Sequence, residues 1–258
     1  MSERRLSIVE LFPGALFPQG DGGNVLALAW RARRRGIEVT VGQVPLGGEI
    51  PRADVYAIGG GEDEDAPILA SRLGGSQGLR SALDGGAILF ASGQGYELLG
   101  SSFEGYDTGE AAAGAGLVDA AFTRGPFVDR RVVTQPNPAL GLPALSGYES
   151  HRGRATFGPG AQPLATLEIG TGNGGEPATD GAIGRVGEGW VIGTWLHGPV
   201  LPRNPELADL VLARALGIDS GAAGLTPLGD RESRFAGLVR EERIAEARRY
   251  ATELTPRI

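Results

Sequence analysis

The stretch Ala87-Ile88-Leu89-Phe90-Ala91-Ser92-Gly93-Gln94-Gly95-Tyr96 is a short apolar run that passes directly into a glycine-bounded turn. A strand, a sharp turn flanked by small residues and a following helix form the layout of a nucleophile elbow, which presents its apex side chain at the helix N-terminus. Here the apex is Gly93, which has no side chain, and Ser92 lies one position too early. By spacing alone, an ordinary glycine-rich strand-to-helix turn remains the favoured alternative.

Around this stretch, the first hundred residues alternate apolar strand-like runs with helix-like segments. Short connections between alternating strands and helices predict a parallel, right-handed α/β sheet with ligands at the carboxyl ends of its strands. The predicted strands in this part are 6–12, 37–44, 54–58 and 87–91, and the predicted helices are 24–35, 66–72 and 79–83.

The second half is richer in predicted strands, and two further helices follow them. The capping pattern Asn204-Pro205-Glu206 predicts a helix that ends at Leu216. A linker over 219–229 then precedes a charged helix over 231–254, so the expected division is a domain at 1–218 and an extension at 219–258. We expect the charged helix to dock a partner, and a helix folded back on its own domain is the alternative. The predicted strands are 131–134, 154–157, 163–168, 182–186 and 190–194.

Composition and charge exclude several classes of function. The chain has 258 residues, no cysteine and a net charge of −7, so no global basic field attracts nucleic acid or anionic membrane. The absence of cysteine excludes thiolate catalysis, a disulfide scaffold, a thiolate zinc site and an iron–sulfur cluster. Without a signal-like start or an apolar run long enough for a membrane span, a cytoplasmic location is expected.

Two histidines and one glycine loop are the other candidates for chemistry. His197 follows an apolar strand, where a general base and a capped core residue are equally compatible with the sequence. His151 lies in a polar stretch that is typical of an exposed loop, and two histidines without cysteine make a poor metal site. The loop 59–63 could offer backbone N–H groups to an anion, but it lacks the Gly-Lys-Ser/Thr of a phosphate loop.

Taken together, these segments resemble a class I glutamine amidotransferase of the cobyric-acid-synthase-like group, over about 6–218. Within that group the chain resembles the glutaminase subunits of lipid II isoglutaminyl synthases. The resemblance implies an α/β fold with a mostly parallel central sheet flanked by helices, followed here by a C-terminal helical extension. It rests on Gly20-Asp21-Gly22-Gly23-Asn24, Arg33 to Ile37, Ile58 to Gly61, Gly95-Tyr96 with Leu98-Leu99-Gly100, Gly147 to His151 and, above all, Leu196-His197-Gly198-Pro199-Val200-Leu201-Pro202-Arg203-Asn204-Pro205-Glu206-Leu207.

In the family that the chain resembles, a cysteine at the elbow attacks glutamine, and His197 matches the histidine that acts as its base. Gly60 and Gly61 match the oxyanion loop, Asp21 an acidic residue near the site, and Arg131 an arginine that contacts substrate. Ammonia would pass to a Mur-ligase-like partner, which uses ATP to activate a carboxylate of a peptidoglycan precursor, and a heterodimer with this partner is expected. The resemblance implies neither a cofactor nor a metal in this chain.

The departures from the family pattern lie where the chemistry would be. Gly93 occupies the position of the nucleophilic cysteine, Gln94 that of a small residue, Glu97 that of a glutamine and Ser150 that of an asparagine. A glycine cannot form an acyl-enzyme, so His197 would be a vestigial base. We therefore predict a pseudo-glutaminase whose complex takes a free amine, either ammonia or glycine. In that hypothesis Gln94 and Glu97 reshape the pocket, and Glu97 with Asp21, His197 and Arg131 binds the amine.

Two alternatives remain open. The first is an ordinary glutamine-hydrolysing subunit in which the natural active-site residues have been replaced. The second is a stand-alone protein that binds a small molecule or acts as a scaffold.

Overall fold

The computed structural model describes residues 5–16, 20–61, 65–105, 109–218 and 221–254. In the N-terminal part, strands and helices alternate as predicted, and their ends agree with the predicted ends to within two residues. The elements are β1 (Arg5–Leu11), α1 (Gly22–Arg33), β2 (Glu38–Val44), β3 (Val55–Ile58), α2 (Ala66–Gly74), α3 (Gln77–Asp84), β4 (Ile88–Ser92) and α4 (Gln94–Leu98).

The second half contains longer strands than the sequence predicted. The predicted strands 131–134 and 154–157 are the ends of two long antiparallel partners, β7 and β8. Several two- and three-residue strands were not predicted, because so few residues carry no periodic signal. The elements are β5 (Ser102–Glu104), β6 (Ala111–Ala113), β7 (Ala120–Thr134), β8 (Ser146–Phe157), β9 (Ala161–Gln162), β10 (Ala165–Ile169), β11 (Thr179–Asp180), β12 (Ala182–Val186), β13 (Gly189–Thr194), α5 (Val200–Arg203), α6 (Pro205–Ala215) and α7 (Asp230–Leu254).

The central sheet has the order β2-β1-β3-β4-β13-β12-β9, and its first five strands are parallel. The predicted class, a mostly parallel α/β sheet flanked by helices, is therefore confirmed. Apolar clusters cover both of its faces, and the fully buried strands β3 and β4 lie at its centre. A second sheet of six strands, β11-β10-β7-β5-β6 with β8 beside β7, was not predicted.

Helix α7 lies against its own domain, which is the alternative that the sequence left open. Ile244 and Ala247 are buried and form a small cluster with Val133 of β7. On the same side of the helix, Arg240 forms an ion pair with Glu206 of α6, and Arg248 one with Glu168 of β10. The opposite side keeps Phe235 and Leu238 exposed. Residues 219, 220 and 255–258 of the predicted extension lie outside the described residues. Within the part of the chain that is described, no helix is long and apolar enough to cross a membrane.

Candidate active site

The order of the central strands brings three loops together at one edge of the sheet. Strand β4 pairs in parallel with β3 on one side and with β13 on the other. Because the carboxyl ends of parallel strands share an edge, Gly60 after β3, Gly93 after β4 and His197 after β13 become neighbours. A hydrogen bond from the Gly93 N–H to the carbonyl oxygen of Thr194, at 2.9 Å, fixes the elbow against β13.

The turn at Gly93 has the backbone conformation of an elbow apex. Its dihedral angles are φ 57° and ψ −129°, and it caps the N-terminus of α4. Residues with a side chain adopt this conformation only under strain, which is typical of a nucleophile elbow. Glycine adopts it without that cost. Gly95 is also required, because a Cβ there would lie 2.6 Å from the carbonyl oxygen of Gly59. The backbone of an elbow is therefore present, and the side chain that would act from it is absent.

The imidazole of His197 fills the space in front of that apex. A Cβ atom on Gly93 would overlap Cε1 of His197 and would lie 2.9 Å from each of the two ring nitrogens. The ring also lies beside Gly60, where a Cβ would be 3.1 Å from the same carbon. A nucleophile with any side chain could not occupy position 93 while His197 has this rotamer. The predicted base thus stands where the nucleophile would be.

Burial keeps His197 neutral. The side chain is only 4% exposed, and its Nδ1 has no hydrogen-bond partner among the described residues. Burial, reinforced by the nearby His151 and opposed by Glu149, lowers the pKa of His197 to about 4. Its backbone N–H donates to the carbonyl oxygen of Tyr148 at 2.8 Å. The ring could accept a proton, but no described residue presents one to Nδ1.

Asp21 lies on the other side of the imidazole. Its carboxyl group is fully buried, and Oδ2 accepts a hydrogen bond from the Gly60 N–H at 2.9 Å. Burial raises the pKa of Asp21, and the Gly60 hydrogen bond opposes that rise. Gln94 lies beside Gly61 of the same loop as Gly60, because a Cβ on Gly61 would be 3.0 Å from Gln94 Oε1. The structure therefore brings together Asp21, Gly60, Gly61, Gly93, Gln94 and His197.

Two asparagines of the recognised motifs hold the His197 segment in place. Asn24 Oδ1 accepts a hydrogen bond from the N–H of Leu201 at 2.9 Å. Asn204 accepts from the N–H of Ser146, and its Nδ2 donates to the carbonyl oxygens of Ser146 and Val200, each at 2.9 Å. These bonds join α1, β8 and α5, so the loop that carries His197 is fixed from three directions.

Glu97 and Arg131 are engaged elsewhere. Glu97 is 3% exposed, and its Oε1 accepts a hydrogen bond from Arg124 of β7 at 2.8 Å. Arg131 forms an ion pair with Glu246 of α7 at 2.9 Å. For either residue to bind an amine or a carboxylate beside His197, its ion pair would have to open. No sequence pattern indicated Arg124, which lies in the part of β7 that was not predicted as a strand.

The prediction of an exposed loop for His151 is wrong. His151 lies in β8 and is 7% exposed. Its ring stacks on Trp195 with the ring centroids 4.0 Å apart, and its nitrogens face Glu149 Oε2 at 3.2 Å and the Gly153 carbonyl oxygen at 3.1 Å. Burial lowers the pKa of His151, and Glu149 opposes this. The signal was present in the sequence, since Glu149, His151 and Gly153 alternate along one face of a strand.

A buried polar cluster surrounds Trp195 behind the site, and sequence reasoning missed it. Glu149 accepts the N–H groups of Thr171 and Gly172, each at 2.7 Å. Asp180 accepts from Thr194 Oγ1 at 2.5 Å, and burial raises its pKa to about 7. Within the described ranges, no group of three or more histidine, cysteine or acidic residues could hold a metal ion.

An elbow at the end of the central parallel strand, with a histidine from the neighbouring strand facing it, defines a class I glutamine amidotransferase fold. The chain belongs to the family of CobB/CobQ-like glutamine amidotransferase domains, whose profile matches residues 17–205. The solved structure of PurLQS from Thermotoga maritima has a TM-score of 0.51 at 13% identity, and the match covers 85% of this chain and 94% of that one. At this identity the likeness shows the fold alone.

Two relatives share the name "Lipid II isoglutaminyl synthase (glutamine-hydrolyzing) subunit GatD". The protein from Staphylococcus aureus strain N315 is 29% identical over 213 residues, which is 81% of this chain and 84% of the relative. The protein from Streptococcus pneumoniae strain R6 is 28% identical over 223 residues, which is 82% of this chain and 81% of the relative.

Proposed function

We propose that this chain is a pseudo-glutaminase subunit of an amide-forming ligase complex that modifies a peptidoglycan precursor. The observation that carries the proposal is the pair Gly93 and His197, in which the base occupies the space of a nucleophile that the sequence lacks. Hydrolysis of glutamine by this family's route begins with a covalent bond from the elbow side chain to the substrate carbonyl. Neither glycine nor a neutral, buried imidazole in this position supplies that step.

The proposed context comes from the relatives. Both are subunits of a lipid II isoglutaminyl synthase, and they cover more than four fifths of this chain. In the proposed complex a Mur-ligase-like partner activates the α-carboxyl of a precursor glutamate with ATP. Free ammonia or glycine then displaces the phosphate and forms the amide. This chain would bind and organise the partner instead of releasing ammonia from glutamine.

The amine need not be bound by this chain. In the described structure, Glu97 and Arg131 are held by Arg124 and Glu246, and the space beside Gly93 is filled by His197. We therefore place amine selection in the partner or at the subunit interface. An amine-binding role for Glu97 would require its buried ion pair to break, which costs several kcal/mol.

The experiment compares this chain with its His197→Ala variant, each purified with the Mur-ligase-like partner. We expect ammonia release from glutamine to be the same for the two complexes and equal to the background without protein. We also expect ATP-dependent amidation of the acceptor with ammonium or glycine and no stimulation by glutamine. Ammonia release that depends on glutamine and disappears in His197→Ala would falsify the proposal.

Gly93→Cys completes the test of the mechanism. Restoring the family's nucleophile is not expected to restore glutaminase activity, because the new Cβ would overlap the His197 ring. Full activity of this variant would show that His197 moves freely out of the apex. The chain would then lack only the nucleophilic side chain, and the rest of its site would still be competent for glutamine hydrolysis.

A further inference from the structure

A cavity of about 300 Å³ lies between α7 and the domain, on the far side of the segment that carries His197. The domain contributes the ends of β7 and β8 and the loop before α5, and α7 closes the other side. The cavity shares a wall with the active site, because Tyr148 and Gly198 line it and the Tyr148 carbonyl oxygen accepts the His197 N–H. It is lined by Arg131, Val132, Ser146, Gly147, Tyr148, Gly198, Arg203, Arg243, Glu246 and Ala247.

The charge of this cavity is opposite to the charge of the whole chain. Three arginines and one glutamate line it, in a protein whose net charge is −7. Glu246 forms its ion pair with Arg131. Among the residues that the structure describes, Arg203 and Arg243 form no ion pair with any carboxylate, unlike Arg240 and Arg248 on the same helix. Two guanidinium groups therefore face the cavity with their charge uncompensated.

Arg203 is fixed in this position. Its Nε donates a hydrogen bond to the carbonyl oxygen of Gly198, which leaves the terminal nitrogens for another acceptor. Burial, together with the like charge of Arg243, lowers the pKa of Arg203. Bringing two cations together at the edge of a half-buried cavity is unfavourable unless an anion lies between them.

We propose that this cavity is a binding site for a phosphate group, held between Arg203 of α5 and Arg243 of α7. Guanidinium groups bind phosphate oxygens through paired hydrogen bonds, and a dianion matches the two uncompensated charges better than a carboxylate does. The volume leaves room for a small phosphate ester as well as for the free ion. Because Arg203 belongs to the domain and Arg243 to the extension, a bound phosphate would join α7 to the domain. The site does not depend on the proposed loss of glutaminase activity.

The test is a calorimetric titration of the full chain with inorganic phosphate at low ionic strength, with chloride held constant. We compare the parent protein with Arg243→Gln and with Arg249→Gln, which removes the same charge from an exposed position of the same helix. We expect Arg243→Gln to weaken phosphate binding by about tenfold or more and Arg249→Gln to change it by less than about twofold. Circular dichroism shows whether each variant is folded. Arg203→Gln removes the other proposed phosphate ligand and should also weaken phosphate binding.

Two further ligands identify what the site accepts. If glycerol phosphate binds as tightly as inorganic phosphate, the ligand is a phosphate ester. If glycerol phosphate binds more weakly, the ligand is the free ion. Both results support the proposal. Acetate that binds as tightly as phosphate, equal weakening by Arg243→Gln and Arg249→Gln, or no phosphate binding by the parent protein would each overturn it.

Discussion

The two histidines of this chain both lie near Trp195, His197 two residues along the chain and His151 in contact with the tryptophan ring, and their surroundings differ completely. His151 stacks on Trp195, and both of its nitrogens face acceptors. His197 is equally buried, but its Nδ1 has no partner among the described residues. The contacts of His151 fix its ring within the buried polar cluster. The ring of His197 faces the elbow, and no described residue forms a hydrogen bond with its Nδ1. The backbone of the elbow and the packing around it are thus in place although Gly93 carries no side chain.

The largest expected effect comes from adding a side chain at the elbow. Gly93→Ala would place a Cβ both in a strained backbone conformation and against the His197 ring, so we expect a loss of about 4 kcal/mol in the free energy of unfolding. Gly36 is the matched control, because it has φ 74° but no atom within 4 Å of an added Cβ. Gly36→Ala should cost only about 1 kcal/mol, the strain alone.

The double variant Gly93→Ala with His197→Ala separates the two contributions. Removing the ring should recover about 3 of the 4 kcal/mol, because only the backbone strain of about 1 kcal/mol remains. Urea unfolding of the parent protein and of the Gly93→Ala, Gly36→Ala, His197→Ala and double variants measures all of these differences. If Gly93→Ala lowers the free energy of unfolding no more than Gly36→Ala does, the imidazole of His197 does not occupy the space in front of the apex. The described difference between His197 and His151 would then be wrong.

The second test uses the pH dependence of the free energy of unfolding. Burial shifts the pKa of His197 at the elbow downwards and the pKa of Asp180 in the cluster around Trp195 upwards, so the two groups affect stability in opposite directions as the pH changes. Burial lowers the pKa of His197 to about 4 from 6.5. As the pH falls from about 6.5 to 4, the unfolded chain takes up a proton that the folded chain does not, and stability falls. Burial raises the pKa of Asp180 to about 7 from 3.8. As the pH rises from about 4 to 7, the folded chain keeps a proton that the unfolded chain releases, and again stability falls.

Each linkage can be removed by a substitution with asparagine, which is polar and does not titrate. Relative to the parent protein, His197→Asn should gain up to about 3 kcal/mol as the pH is lowered from 7 to 4. Relative to the same parent, Asp180→Asn should lose stability over the same change. Urea unfolding at pH 7, 5.5 and 4 gives both difference curves. Two curves that run parallel to the parent's would show that neither group has a pKa shifted by its burial.

The sequence predicted the fold better than it predicted the surroundings of individual side chains. The parallel strands and their helices could be predicted because periodic apolar runs are local features. The resemblance to the family's motifs assigns Asp21, Gly60, Gly93 and His197 to one site, and the shared edge of the parallel strands accounts for the meeting of the last three. The ion pair of Glu97 with Arg124 joins residues 27 positions apart in the chain. Such a contact depends on the strand register of the second sheet, which no local pattern contains.

The smallest effect compares the same substitution at the two histidines. Alanine at either position leaves a cavity of one imidazole, so that part of the cost is shared. His151→Ala also loses the stack on Trp195, worth about 1 kcal/mol, and a hydrogen bond to Glu149 or Gly153, worth about 1 kcal/mol. We therefore expect His151→Ala to be about 1–2 kcal/mol less stable than His197→Ala in urea unfolding at pH 7, where His197 is neutral in both the folded and the unfolded chain. Equal losses would mean that the contacts of His151 contribute nothing beyond its volume. A larger loss at His197 would mean that its ring supports the elbow, and its presence without a nucleophile would then have a structural reason.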